Sequence, residues 1–271
     1  MLNFISTPIG NLNDISLRAI DVISSSDYLY AEDTRSVRKL LSFVDIKIQT
    51  RSFHEHNEDK VSLDIIEKLK NKKTISIVSD AGTPTISDPG YKLIRMCIKN
   101  NIKYTLIPGA SSVISALVMS GLPTDKFSYY GFCPKKLGDQ KYFFETINND
   151  DKTSIFFESS KRIEKTLTNF SKLFGLNKNI SLCKEMTKMH ENIYRGKIEH
   201  ILESIKNDEI NLKGELVVVL EGSKNKKINS KINSKIKKEF LSKLSATDSA
   251  KLIATITGEK KRDIYKKLIE K

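Results

Sequence analysis

The sequence predicts an α/β protein of two lobes followed by a short helical segment. Three observations carry that expectation. In the first half, short apolar runs alternate with amphipathic segments, the pattern of βαβ units around a largely parallel sheet. Near Gly121-Leu122-Pro123-Thr124-Asp125 that alternation breaks, and the chain beyond it is richer in strand-like runs. After residue 222 a lysine-rich stretch interrupts both patterns. These breaks divide the chain into an N-terminal lobe (1–121), a C-terminal lobe (122–222), a lysine-rich linker (223–243) and a helical hairpin (244–271).

The elements follow in order. Leu2 to Ser6 reads as a strand and Asp14 to Ser24 as a helix; Asp27 to Ala31 is a second strand and Thr34 to Phe43 a second helix. Asp59 to Lys70 places Val61, Leu63, Ile65, Ile66 and Leu69 at helical spacing. Thr74-Ile75-Ser76-Ile77-Val78 is a buried strand, and a loop stiffened by Pro84 and Pro89 leads into a helix from Pro89 through Lys99, with Asp88 as its expected cap. Gly82 in that loop would let the backbone approach a ligand closely. Lys103 to Ile107 is a strand, and Ala110 to Ser120 an apolar helix after Pro108-Gly109. In the second lobe, strands are expected at Phe127 to Phe132, Thr153 to Phe157, Ile180 to Lys184 and Glu215 to Glu221, with helices at Asp139 to Ile147 and Arg162 to Phe174. Ser223 to Lys238 carries seven lysines, no acidic residue and a repeated Ile-Asn-Ser-Lys, the composition of a solvated linker or basic arm. Leu244 to Lys271 resumes helical periodicity, split at Gly258.

Composition narrows the function classes. Hydrophobic residues make up 39% of the 271 and charged residues 29%, and no apolar run approaches the roughly 20 residues that span a bilayer. The amino terminus enters a strand pattern at once, with no secretory signal pattern. Cys97, Cys133 and Cys183 are scattered, without C-x-x-C spacing, so neither a disulfide framework nor a zinc site follows, and reduced thiols in the cytoplasm are expected. A net charge of +13 favours a polyanionic partner, nucleic acid being the commonest.

Four loops sit where strands end and can converge on one cleft: Thr7 to Leu12, Ala31 to Arg35, Ser79 to Gly90 and Pro108 to Ser112. The third carries neither G-x-G-x-x-G nor G-x-x-x-x-G-K-[ST], which disfavours dinucleotide and P-loop chemistry. The first and fourth offer backbone N–H groups near helix starts, yet neither has a lysine placed for phosphate. A nucleoside with a positive or zwitterionic tail fits them better than a triphosphate. Glu32, Asp33, Arg35, His54, Glu55, Glu185 and Lys188 are the polar candidates for chemistry; each also has a bland role open to it, Glu32 and Asp33 as helix caps and Arg35 as their surface partner.

Those loops, with Gly121 to Asp125, His54-Glu55-His56-Asn57-Glu58, Glu158-Ser159 with Arg162, Lys184 to Lys188 and Lys213-Gly214-Glu215, resemble one family in order and spacing. The chain is similar to the ribosomal RNA small subunit methyltransferase I family, the bacterial cytidine 2′-O-ribose methyltransferases of the tetrapyrrole methylase superfamily. The likeness covers roughly residues 2 to 222. It departs at Ser160-Lys161, where the family usually has proline and histidine, and at Ala110, where proline is frequent.

The resemblance implies two α/β lobes with S-adenosylmethionine in the cleft between them, 16S ribosomal RNA in the small subunit as substrate, and a homodimer. It implies a cofactor site of Pro8, Ile9, Gly10, Asp80, Ala81, Gly82, Thr83, Ile86, Pro108, Gly109, Ala110, Ser111 and Ser112, closed on the far side by the Phe132 neighbourhood or by Glu185 to Thr187. Catalytic roles would fall to Glu32, Arg35 and Glu185, and RNA contacts to Arg35, Lys135, Lys136, Arg162 and Lys188. Two other readings stay open: a methyltransferase for a corrin precursor or for diphthamide synthesis, and a non-catalytic RNA-binding protein that keeps the cleft.

Overall fold

A computed structural model describes residues 1–223, 234–257 and 260–269. Five short strands form the first sheet: β1 (Leu2–Ile5), β2 (Tyr28–Ala31), β3 (Thr50–Ser52), β4 (Ile75–Val78) and β5 (Tyr104–Ile107), in the order β3-β2-β4-β1-β5 and all parallel. Every residue of β1 and β4 is buried, as parallel strands covered on both faces require. The covering helices are α1 (Leu17–Ser24), α2 (Thr34–Phe43), α3 (Glu58–Lys70) and α4 (Tyr91–Lys99). One core joins Leu2, Phe4, Tyr30, Ile65, Ile75, Ile77 and Leu93; the other joins Ile5, Ile23, Leu29, Val37, Val78 and Ile107. Alternate residues of the same strands feed opposite cores, which is why these runs are mostly apolar, interrupted only by the buried Asn3 in β1 and Ser76 in β4.

The second sheet is mixed. Its strands are β6 (Phe127–Phe132), β7 (Thr153–Ser159), β8 (Asn179–Lys184), β9 (Asn192–Lys197) and β10 (Glu215–Leu220), ordered β6-β7-β10-β8-β9. Only β6 and β7 run parallel; the other pairs are antiparallel. Helices α6 (Leu137–Asn149), α7 (Ile163–Phe174) and α8 (Ile198–Lys206) belong with it, and Phe144, Phe156, Phe170, Leu182, Ile201 and Val218 fill its core. Helix α5 (Ser112–Ser120) leaves the first sheet and packs Val113, Ala116 and Leu117 on Ile155, Cys183, Val217 and Val219 of the second. It stops at Gly121, whose φ of 74° is the left-handed cap that glycine adopts without strain. Both sheets lie in one compact unit, Met1–Gly222. Ser223–Lys271 forms another, with helices α9 (Ser234–Lys243), α10 (Ala246–Thr257) and α11 (Lys261–Ile269), the last two meeting at Ala250, Ile253 and Ile264.

Several expectations need correction. Helix α4 starts at Tyr91, not Pro89, and Asp88 does not cap it. The buried Glu58 does, its Oε1 accepting from the N–H groups of Gly90 (2.9 Å) and Lys92 (3.2 Å). The helix expected from Asp14 begins at Leu17, because Ser16 accepts from the Ala19 N–H and a 3-10 turn precedes it. β3, β9 and α8 were not foreseen. The lysine-rich stretch lies partly outside the described residues, and the expected linker ends early, since Ser234–Lys243 is helical.

Candidate functional site

The loops after β1, β2, β4 and β5 of the first sheet reach one cleft of about 430 Å³, within the range that holds small ligands, while the loop after β3 does not line it. Ile9 comes from the loop after β1, Glu32 from that after β2, Asp80 to Asp88 from that after β4, and Ser111 to Val113 from the start of α5. The second sheet supplies the opposite wall through Phe132, Phe157, Cys183, Glu185, Met186 and Glu215 to Val217.

The loops are fastened to one another. Thr7 and Gly82 exchange backbone hydrogen bonds at 2.9 and 3.0 Å. The Thr83 hydroxyl lies 3.0 Å from that of Ser6 and donates to the Ala110 carbonyl at 3.4 Å. The two walls are joined as well. The Ser87 and Tyr129 hydroxyls are 2.6 Å apart, and the Asn11 N–H donates to Thr187 Oγ1 at 3.0 Å. Thr85, Ser87, Glu185 and Thr187 all have positive φ, between 47° and 74°. Such backbone is costly for a side chain bearing a Cβ, and strain of this kind clusters where a loop must present groups to a ligand.

One side of the cleft is acidic. Glu32, Asp80 and Asp88 all line it, and among the described residues none of the three is in an ion pair with lysine or arginine. Burial pushes the Asp88 carboxyl up to about 6; the nearby Glu32 and Asp80 charges add to that, while Ser79 works against it. Glu32 is also raised, by burial first and then by Asp80 and Glu55, with His54 opposing. An apolar stretch of the remaining lining is formed by Ile9, Val113, Met186, Leu216 and Val217. The site is shaped for a ligand with a cationic centre and an apolar body.

Residues 1–202 match the family described as Tetrapyrrole (Corrin/Porphyrin) Methylases. The chain belongs to the tetrapyrrole methylase family. It is 36% identical to the ribosomal RNA small subunit methyltransferase I of Halalkalibacterium halodurans, covering 97% of this chain and 93% of that one. The proteins of that name from Haemophilus influenzae and Rickettsia prowazekii are 38% and 40% identical, each across 98% of this chain and across 95% and 93% of their own. Among solved structures it resembles a diphthine synthase (TM-score 0.62, 15% identity, covering 81% of this chain and 89% of that one). It also resembles a uroporphyrin-III-C-methyltransferase from Thermus thermophilus (TM-score 0.58, 13% identity, 81% and 93%). At these identities the structures speak for the fold alone.

In this tetrapyrrole methylase the residues expected at the cofactor separate into two groups. Ile9, Asp80, Ala81, Gly82, Thr83, Ile86, Ser111 and Ser112 line the cleft. Pro8, Gly10, Pro108, Gly109 and Ala110 do not; they shape the loops behind it. A Cβ on Gly10 would stand 2.5 Å from Lys188 Cγ and 2.9 Å from the Met186 carbonyl, so this glycine allows the two walls to meet. At Gly82 a Cβ would have room, 3.5 Å from Ile9 Cγ2, and the glycine is required instead by its φ of 85°.

The polar candidates also separate. Asp33, not Glu32, caps α2, accepting from the Arg35 N–H at 2.8 Å. Arg35 is not among the lining residues; its guanidinium pairs with Asp33 at 3.1 Å and its side chain is 84% exposed. Glu185 lines the cleft, but its Oε1 accepts from the Glu215 N–H at 2.7 Å and from Lys188 at 3.1 Å. The Glu215 bond leads in holding its carboxyl below the usual range, with Lys188 adding to it. Arg162 is turned inward, to Glu158 at 2.5 Å and to the carbonyls of Cys133 and Pro134, while Lys135 and Lys136 are exposed. Sequence reasoning passed over Asp88 as a site residue by treating it as a helix cap. Its place in the same Gly- and Pro-rich loop as Asp80 was the available signal.

S-adenosylmethionine fits this donor set. Three carboxylates without cationic partners suit its positively charged sulfonium and ammonium groups, and the apolar wall suits its adenosine. Glu32, Asp80 and Asp88 would hold the charged part, and Ile9, Val113 and Met186 the rest.

Proposed function

We propose that this protein transfers the methyl group of S-adenosylmethionine to the ribose 2′-hydroxyl of a cytidine in 16S ribosomal RNA of the small subunit. The observation that carries this reading is the cleft: carboxylates left without counter-ions on one side, an apolar wall on the other, in a chain of this family. The bound donor supplies an activated methyl group. The protein's part is to hold the acceptor oxygen in line with it, and orientation of a reacting pair can be worth about 7–11 kcal/mol. Glu32 or Asp88, both in the cleft lining, would take the hydroxyl proton, a smaller contribution. Glu185 is suited to structure rather than proton transfer, because its carboxylate already serves the Glu215 N–H and Lys188. Lys135 and Lys136 contribute positive charge for RNA phosphates, which position a substrate without reading its sequence, whereas Arg35 is paired with Asp33 and Lys188 with both Glu185 and Glu215. Arg162 serves RNA only indirectly, by fixing the Cys133–Pro134 segment.

Two finer statements accompany this reading. With ribosomal RNA as substrate the cytoplasm is the working compartment, and among the described residues no helix is long and apolar enough to cross a membrane. A homodimer is supported by the exposed Ile114 and Val118, one turn apart on α5, which a second copy would cover. The deciding experiment offers methyl-labelled S-adenosylmethionine with isolated small subunits, with a corrin precursor and with protein substrates. Label is expected in ribosomal RNA; label in a corrinoid or a protein would replace the proposal.

A further inference from the structure

Two large apolar side chains that line the cleft stay exposed: Ile86 at 46% and Phe132 at 63%. Of the other apolar lining residues, Ile9, Val113, Cys183, Met186, Leu216 and Val217 are buried, Phe157 is half-buried and only the small Ala81 is exposed. The exposed pair is drawn from opposite walls, Ile86 from the loop after β4 and Phe132 from the end of β6.

Their neighbours bring them to the same rim. Ser87, next to Ile86, is 2.6 Å from the Tyr129 hydroxyl, and a Cβ on Gly131, next to Phe132, would lie 3.8 Å from Ser87 Oγ. Both segments are shaped to present these side chains. Ile86 lies between two residues of positive φ, Thr85 at 74° and Ser87 at 65°. Between Tyr129 and Phe132 the β6–β7 register shifts, with Gly131 at φ 68°, the kind of irregularity that re-aims a side chain beside an active site. The Phe132 ring rests against Phe157 at 5.1 Å between centroids, with planes at 66°. The next residues are fixed by Arg162, which donates to the Cys133 and Pro134 carbonyls, and after them stand the exposed Lys135 and Lys136.

We infer that Ile86 and Phe132 are the jaws that grip the target base of the RNA, flipped out of its stack, while the ribose below it meets the methyl donor. The inference rests on the RNA reading above. A flipped base is commonly held between aromatic and apolar side chains, and a supported ring beside two lysines provides a stacking face next to a phosphate track. On this reading the cofactor would be held among the buried wall and the carboxylates, and Ile86, expected at the cofactor, and the Phe132 neighbourhood, expected to close its far side, pass to the larger substrate.

The test compares the full-length wild type with Phe132→Ala, Phe132→Leu, Phe132→Trp and Ile86→Ala. Each is assayed for cofactor affinity by calorimetry and for methylation of isolated small subunits. Phe132→Ala should lower kcat/KM for subunits between about fivefold and a hundredfold, the range of one lost stacking contact, with cofactor affinity unchanged. Phe132→Leu should stay low and Phe132→Trp should return to near wild type, because a ring is needed rather than bulk. Ile86→Ala should fall in the same direction by less. Lost cofactor affinity in Phe132→Ala would place the ring on the cofactor and overturn the inference. So would full turnover in that variant, or rescue by Leu equal to that by Trp. A wild-type enzyme that methylates no ribosomal RNA would instead bring down the functional reading on which the jaws depend.

Discussion

Asp88 is where charge, burial and ligand chemistry meet most directly. Its folded carboxyl titrates near 6 rather than in the usual carboxylate range, so its ionisation opposes folding. The stability held by the protonated form is full below about pH 4 and is lost as pH rises through about 6. At about 1.4 kcal/mol per unit, a shift from 3.8 to about 6 puts the loss near 3 kcal/mol at most. Asp88→Asn should therefore raise the melting temperature at pH 7.5 and leave it little changed at pH 4, as a thermal scan would read. Binding should show the opposite sign. A cationic ligand favours the ionised carboxyl, so S-adenosylmethionine affinity should rise from pH 5 to pH 7 in the wild type. It should be weaker and flatter with pH in Asp88→Asn, which titration calorimetry at several pH values would measure. Gly82→Val makes a separate residue-level prediction. With φ at 85° a β-branched side chain costs roughly 1–3 kcal/mol, and the loop must change shape to relieve it. Cofactor affinity should fall while the circular dichroism spectrum keeps its folded form; unchanged affinity would remove the loop from the site.

At the scale of elements, the loop after β4 is held at its far end by a side chain from another helix. Glu58, at the start of α3, caps α4 across 32 residues of sequence by accepting from Gly90 and Lys92. Glu58→Ala should cost about 1–2 kcal/mol of stability, the size of a lost helix cap, seen as a lower denaturation midpoint with an unchanged slope. Much of this level was legible. The largely apolar runs of β1, β4 and β10 and the helical spacing of α2 and α3 are local signals, and the structure keeps them. What escaped was decided by distant partners. β3 is only Thr-Arg-Ser at a sheet edge, and β9 carries Arg195 and Gly196 without clear alternation, so their strand character comes from pairing with β2 and β8. The role of Asp88 was hidden for the same reason: a Ser-Asp-Pro sequence reads as a cap until Glu58 is seen to occupy that position. The acidic site residues were legible only as members of loops, because which carboxylates go without counter-ions depends on the tertiary arrangement.

At the scale of the molecule, α5 ties the first sheet's chain to the second sheet's core, and the cleft opens between the two walls. The chain carries +13 overall, yet the cleft holds three carboxylates that no lysine or arginine pairs with among the described residues, so a cationic cofactor and a polyanionic RNA would be drawn by opposite fields. Lys135 and Lys136, beside the proposed base grip, belong to the RNA side of that division. Changing both to glutamine should reduce the steepness of salt-dependent RNA binding by roughly 0.7 per lost contact, while cofactor affinity stays as it was. An unchanged slope in a filter-binding series would leave these lysines outside the contact.

The central claim is a methyl group delivered to a ribose of ribosomal RNA. It is tested most directly by mass spectrometry of nucleosides from small-subunit RNA, after reaction of the purified protein with methyl-labelled S-adenosylmethionine. The predicted product is labelled 2′-O-methylcytidine, absent when Asp88→Asn and Glu32→Gln are combined. Label on a nucleobase, or no label in the RNA while the cofactor still binds, would contradict the account.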